Sequence, residues 1–500
     1  MSGFRDYTDY DAIGLAELVR SGQVQASELV ESCIARAEQL NPRVNALVRD
    51  LYEAARAEAR SAPRSGPFCG VPFFAKDLIQ MIPGVPTEMG SRFWQGWIPR
   101  KPTHLYQRWL EAGLIVVAKT ATPELGLLPV TEPEINGPTR NPWDLERSSG
   151  GSSGGSAASV ASGIVPMASA GDGGGSIRIP ASCCGLFGFK PSRARNPAGP
   201  FASEHWSGFT VEHVLTRSVR DSAAMLDATH GPDVTAPYFA APVEGTFLDA
   251  TRHEPKPLRI AFHAEPATHH GPVHQDCLAA VEDAVRLCEA LGHQVERVSP
   301  AHDHLAISRA FVSVLGANLA AEIRAGERVR RQKATHKDYE LTTWLSHLIG
   351  KALSGEELML ALNTLQAESR RLAQLYEGFD LILTPTVSKP PIRIGELKPK
   401  GLDLRAQQLL AVSGWSWPSK LPQLIDRSAE PMFSFAGFTP VANFMGWPAM
   451  SVPLHWNDAG LPIGVMFMAR PAKEALMFGL AAQLERARPW AGRRPPVFAD

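Results

Sequence analysis

With 500 residues, 44% of them hydrophobic and 20% charged, the chain can bury the core of one large α/β domain or of two to three average ones, which excludes disorder as the default. A formal net charge of −1 offers no Lys/Arg footprint for nucleic acid or an anionic membrane, so the expected partners are small molecules or proteins. The six cysteines (Cys33, Cys69, Cys183, Cys184, Cys277, Cys288) include no C-x-x-C pair, and all read as reduced thiols, mostly in the core.

The N-terminal "MSGFRDYTDYDAIG" lacks the basic start and apolar stretch of a signal peptide. No window approaches the ~18 apolar residues of a membrane span, and a cytoplasmic location is expected. "SELVESCIARAEQL" puts Leu29, Val30, Cys33, Ile34, Ala37 and Leu40 on one helical face, with Ser27 as N-cap and Asn41-Pro42 as the stop. "VNALVRDLYEAARAEARSA" reads as a second helix. The apolar run Val71–Ala75 reads as a buried strand ending on Lys76-Asp77, and "YQRWLEAG" then "LIVVAK" repeats the helix and strand order.

From Ser148 the composition turns to Ser, Gly and Ala, yet "ASVASGIVPMASAGDGGGSIRIPASCCGLFGFKPS" is too apolar for a flexible linker. It reads as a glycine-lined site inside the core. "PLRIAFH", "DCLAAVEDAVRLCEALGH" and "QVERV" follow as strand, helix and strand, residues 305–375 as mainly helix, and "FDLILTPT" as a buried strand. Residues 390–437, rich in Pro and Trp, read as an irregular insertion covering a pocket, before "VANFMGWPAMSVPL" and "GLPIGVMFMA" return to strand. The expected fold is α/β, with a large mixed, mostly parallel β-sheet covered by helices on both faces.

Serine attacks only after a base takes its proton, and a carbonyl yields only when its developing oxyanion is held by fixed donors. Three glycines in a tight turn let backbone N–H groups converge on one point, which makes Gly173, Gly174 and Gly175 a candidate oxyanion hole and Ser176 the candidate nucleophile. A phosphate loop would require Gly-Lys-Ser/Thr after the glycines, and the sequence is Gly-Ser-Ile. Gly150 to Gly154 fits G-x-S-x-G formally but lacks the preceding hydrophobic strand. A lysine at a strand end is ordinarily a solvated charge; coupled to the two serine clusters, Lys76 reads as a base kept neutral by burial. His269, His270 and His274 lack ligand spacing on a defined helix, and neither a metal nor a cofactor is expected.

"GVPFFAKD", "GGSSGGSAA", "GDGGGSIRIPA" and "CGLFGFKPS", in that order, resemble the amidase signature family of serine hydrolases, and "LILTPT" and "GLPIGV" extend the likeness over nearly the whole chain. The resemblance implies one domain over 1–500, with the catalytic motifs in 65–195 and a variable region, 300–437, shaping the substrate pocket. It also implies a triad of Lys76, Ser152 in a cis peptide and Ser176, which follows Ser152 by 24 residues. Lys76 would draw a proton through Ser152 from Ser176, and an acyl-enzyme would form and be hydrolysed. "AGDGGGS" departs from the commoner family form in carrying a glycine where many members have a side chain. Asp172 and Arg178 are expected to brace the loop as an ion pair, and Ser153 to support it.

Leu127, Leu128, Trp94, Trp97, Trp344, Trp415 and Trp417 are candidate pocket residues; together they favour a hydrophobic acyl or aryl amide over a small polar one. "TEPEINGPTRNPWDLERSSGGSSGGS" and "LERARPWAGRRPP" are similar to the family's 6-aminohexanoate-oligomer hydrolase branch. A carbamate or anilide hydrolase with the same triad, and the glutaminase subunit of a tRNA-dependent amidotransferase, stay open as alternatives. So does a homodimer.

Overall fold

The computed structural model describes residues 3–61, 65–231, 233–234 and 236–499. Most of its strands form on short apolar runs. In chain order they are Leu47–Asp50 (β1), Pro72–Lys76 (β2), Ile115–Thr120 (β3), Arg140–Asn141 (β4), Asp144–Ser148 (β5), Met167–Asp172 (β6) and Phe187–Lys190 (β7). Val211–Thr216 (β8), Arg259–Phe262 (β9), Gln294–Arg297 (β10), Leu381–Pro385 (β11), Ala449–Trp456 (β12) and Pro462–Met468 (β13) complete the set. β4 and β5 pair apart, and the other eleven form one sheet in the order β1-β3-β2-β6-β8-β7-β12-β13-β11-β9-β10.

The sheet is mixed, as expected, but it is not mostly parallel. Only β2 with β3, β2 with β6, β9 with β10 and β9 with β11 run parallel; the other six neighbouring pairs are antiparallel. Helical crossovers produce the parallel pairs on the flanks, whereas the centre holds direct reversals such as the short turn between β12 and β13.

Side-chain alternation shows why both faces carry helices. Along β13, Ile463, Val465 and Phe467 pack with Cys277, Val281 and Phe478 on the helices Gln275–Ala290 and Glu474–Ala487. The intervening Met466 and Met468 pack on the opposite face with Phe311 and Val314 of the helix His304–Arg330 and Phe433 of Pro422–Ala436. Among the described residues, His304–Arg330 alone is long and apolar enough to cross a membrane. Here its apolar stripe faces the sheet, and all six cysteines are buried free thiols.

Three local expectations are corrected. The first expected helix spans Ala26–Val44 and runs through Pro42, and Gln25 rather than Ser27 precedes it, with the Glu28 carboxylate accepting from Gln25 N at 2.8 Å. The stretch after Val44 is not one helix: Leu47–Asp50 pairs with β3, and the helix covers only Tyr52–Arg60. Residues 390–437 are largely helical, as Gly401–Ser413 and Pro422–Ala436 joined through a 3₁₀ turn at Trp417–Lys420.

Candidate active site

Parallel pairing of β2 and β6 brings Lys76 and Asp172, each the last residue of its strand, to the same carboxyl edge of the sheet. Crevices at such edges are the usual binding sites of open α/β sheets. A cavity of about 480 Å³ opens there, and Lys76, Ser152, Gly171, Gly173 and Ser176 all line it.

Lys76 is 1% exposed. Its Nζ lies 2.7 Å from Ser152 Oγ and 3.0 Å from Ser153 Oγ, and its backbone N donates to Ser169 Oγ at 2.7 Å. Burial lowers the amine to about 8, against the opposing pull of Glu212 and Asp172, so an appreciable neutral fraction exists near neutral pH. The Gly151–Ser152 peptide is cis. Ser153 Oγ also donates to Gly171 O at 3.3 Å, and Ser156 Oγ donates to Ser169 O at 2.7 Å, which ties the start of the helix Gly154–Ala161 to β6. Ser176 is half-buried on the cavity wall, and its Oγ makes no hydrogen bond to another described residue.

The turn between β6 and the helix Arg178–Cys184 is built around Asp172. The Asp172 carboxylate accepts from Arg178 Nε and Nη2, each at 2.8 Å, from Asn443 Nδ2 at 2.8 Å and from Gly175 N at 2.7 Å. Burial would raise this carboxyl, but the Arg178 guanidinium prevails and holds it at about 2. Arg178, fully buried, also reaches Thr439 O at 2.8 Å and Asn443 Oδ1 at 2.7 Å. Gly175 adopts φ +133, and a Cβ there would lie 2.2 Å from Thr439 Oγ1, so only glycine fits.

This network corrects the reading of Gly175 as an oxyanion donor, because its N–H already serves Asp172. The backbone N–H groups of Gly173, Gly174 and Ser176 donate to no other described residue.

Trp94 and Trp97 line the cavity, together with Met81, Met89, Leu125 and Tyr339. Leu127 and Trp415 do not. Leu127 packs between two core clusters beside the cavity, and Trp415 is 72% exposed on the outside of the molecule. No residue of 390–437 reaches the wall; the helix His304–Arg330 supplies it instead, through Asn318, Glu322 and Ile323. Sequence reading missed Glu212 and Glu322 entirely. Neither lies in a motif, and only the return of β8 alongside β6 reveals Glu212. Glu322 is exposed and contributes to the cavity wall. Among the described residues, no three His, Cys, Asp or Glu side chains converge as a metal site.

An α/β sheet with a serine- and lysine-lined cleft at its strand ends suits a hydrolase, and comparison with known proteins gives the class. The chain belongs to the amidase signature family: the family model described as Amidase matches residues 28–478. It is 36% identical over 496 residues to the 6-aminohexanoate-cyclic-dimer hydrolase of Paenarthrobacter ureafaciens, covering 98% of this chain and 97% of that one. The solved structure of a 6-aminohexanoate cyclic dimer hydrolase with its substrate superposes with a TM-score of 0.88 at 34% identity, over 99% of this chain and 100% of that one. A bacterial aryl acylamidase of the same family superposes at 0.83 with 26% identity, over 98% and 99%. The chain is an enzyme that hydrolyses amide C–N bonds.

Proposed function

We propose that this amidase works through Lys76, Ser152 and Ser176. The observation that carries the reading is the 2.7 Å contact of a buried Lys76 Nζ with Ser152 Oγ, on the same cavity wall as Ser176. Neutral Lys76 takes the Ser152 proton as Ser152 takes that of Ser176, whose Oγ bonds to the scissile carbonyl carbon. The carbonyl π pair moves to oxygen, where the N–H groups of Gly173, Gly174 and Ser176 receive it. Collapse of this intermediate breaks the C–N bond, the leaving amine takes its proton back through Ser152, and water then cleaves the acyl-enzyme by the same route.

The substrate is an uncharged or amine-bearing hydrophobic amide of the 6-aminohexanoate-oligomer kind. The wall is mainly aliphatic, thioether and aromatic, and among the described residues Lys76 is its one Lys or Arg, leaving no separate cation there for a substrate carboxylate. Trp94 and Trp97, with the likeness to an aryl acylamidase, favour anilides as the second reading.

The test is turnover of the cyclic 6-aminohexanoate dimer and of a medium-chain acyl 4-nitroanilide by wild type and by Ser176→Ala. Wild type should release product from at least one, and the variant should lose on the order of 10³-fold or more in kcat. Equal turnover by Ser176→Ala would remove it as the nucleophile.

A further inference from the structure

Glu212 lies opposite Gly171 in the antiparallel register of β8 and β6. It is 6% exposed and lines the same cavity as Lys76, Ser152 and Ser176. A carboxyl in such a place is costly unless something stabilises its charge. Gln80 Nε2 donates to Glu212 Oε2 at 3.0 Å, and Gln80 is itself oriented by Thr103, whose Oγ1 donates to Gln80 Oε1 at 2.9 Å. Asn196 Nδ2 fixes the Glu212 backbone carbonyl at 2.7 Å. Space for the carboxyl exists because residue 171 is glycine: a Cβ there would stand 1.9 Å from Glu212 Oε1.

Two charged groups act on Glu212, Lys76 from β2 and Asp172 from β6. Asp172 is already neutralised by the two-pronged grip of Arg178. Glu204, His205 and Glu322 stand elsewhere on the cavity wall and add no cation at pH 7, since burial lowers His205 to about 4. Lys76, on the same cavity wall, is therefore the cation whose charge acts on the Glu212 carboxylate unopposed.

We propose that Glu212 is a positioning residue of the proton relay, its carboxylate stabilising the ammonium that Lys76 becomes when the Ser176 proton has passed through Ser152. The inference rests on the relay described above. As the Ser176 Oγ–carbon bond forms, one proton arrives on Lys76 and one negative charge on the carbonyl oxygen. Glu212 offsets the ammonium until the C–N bond breaks and the amine recovers that proton. Burial raises Glu212 to about 7, while the charge of Lys76 pulls it back down, so the two groups titrate as a pair.

The sign of the effect is fixed by this arrangement. An ionised Glu212 favours protonated Lys76, so removing its charge leaves the lysine neutral at lower pH.

The experiment is the pH dependence of kcat/KM for wild type, Glu212→Gln, Glu212→Asp and Lys76→Met on one amide substrate, with melting temperatures alongside. For Glu212→Gln the acidic limb should move to lower pH by on the order of one unit, because an opposite charge nearby shifts a pKa by that much or more. Should Glu212→Gln not fold, Glu212→Asp carries the test: its withdrawn carboxylate should move the limb the same way by less. An unmoved limb in the folded variant overturns the proposal. Undiminished turnover by Lys76→Met would instead overturn the relay itself, so the two failures are told apart.

Discussion

Asp172 shows how one side chain can hold a reactive turn in shape. Its carboxylate joins the Gly175 N–H, the Arg178 guanidinium and the Asn443 amide, and so ties the Ser176 turn to a segment more than 250 residues away in sequence. The pair is fully buried, so removing the charge of one partner leaves the other stranded. Asp172→Asn keeps nearly the same shape and strands Arg178. It should cost about 3–5 kcal/mol of stability, as expected for breaking a buried pair, and lower kcat as the turn loosens. Denaturant titration and steady-state kinetics check this; a variant with wild-type stability and kcat would show that Arg178 does not need the carboxylate.

At the scale of elements, the helix His304–Arg330, within the expected region 300–437, lines the cavity, and the 390–437 segment does not. Trp415 stands on the exposed outer side of the segment that joins Gly401–Ser413 to Pro422–Ala436, while Trp94 packs edge-on against Trp97 with ring centroids 5.1 Å apart on the cavity wall. Trp415→Ala should therefore leave kcat/KM for a hydrophobic amide within about twofold of wild type, as expected of a surface change. Trp94→Ala should raise KM about tenfold or more, since truncating a buried aromatic anchor removes several kcal/mol of contact. The reverse ranking would restore the reading of 390–437 as the pocket cover. The strand Pro72–Lys76 and the Gly-Ser motifs were legible because each rests on local information: an apolar run, or a motif that resembles a known family's. β1 was not, because it exists only by pairing with β3. The outward Trp415 was not, because composition says that a tryptophan wants cover but not which surface supplies it. Glu212 was not, because its meaning depends on a glycine 41 residues earlier in the chain.

For the molecule as a whole, buried titratable groups set how stability depends on pH. Burial lowers His205 to about 4, and His213 and His263 to about 3. In each case the unfolded chain binds a proton near pH 6.5 that the folded chain refuses, so these histidines remove stability as pH falls below about 6.5. Burial acts oppositely on Glu212, Glu340 and Glu485, each raised to about 7. Folded protein holds those protons more tightly than unfolded chain, so the carboxyls add stability as pH falls from about 7 to about 4.5, after which both states are protonated. The two sets oppose each other between about pH 4.5 and 6.5, and the melting temperature should change little there. Below about pH 4.5 the carboxyls contribute nothing more, while His213 and His263 continue to destabilise and Asp172, held at about 2, begins to lose its pairing advantage. The melting temperature should then fall steeply. Thermal melts at closely spaced pH values from 3 to 7 decide the matter. A steady decline beginning at about pH 6.5 would mean that the buried carboxyls are ionised in the folded protein.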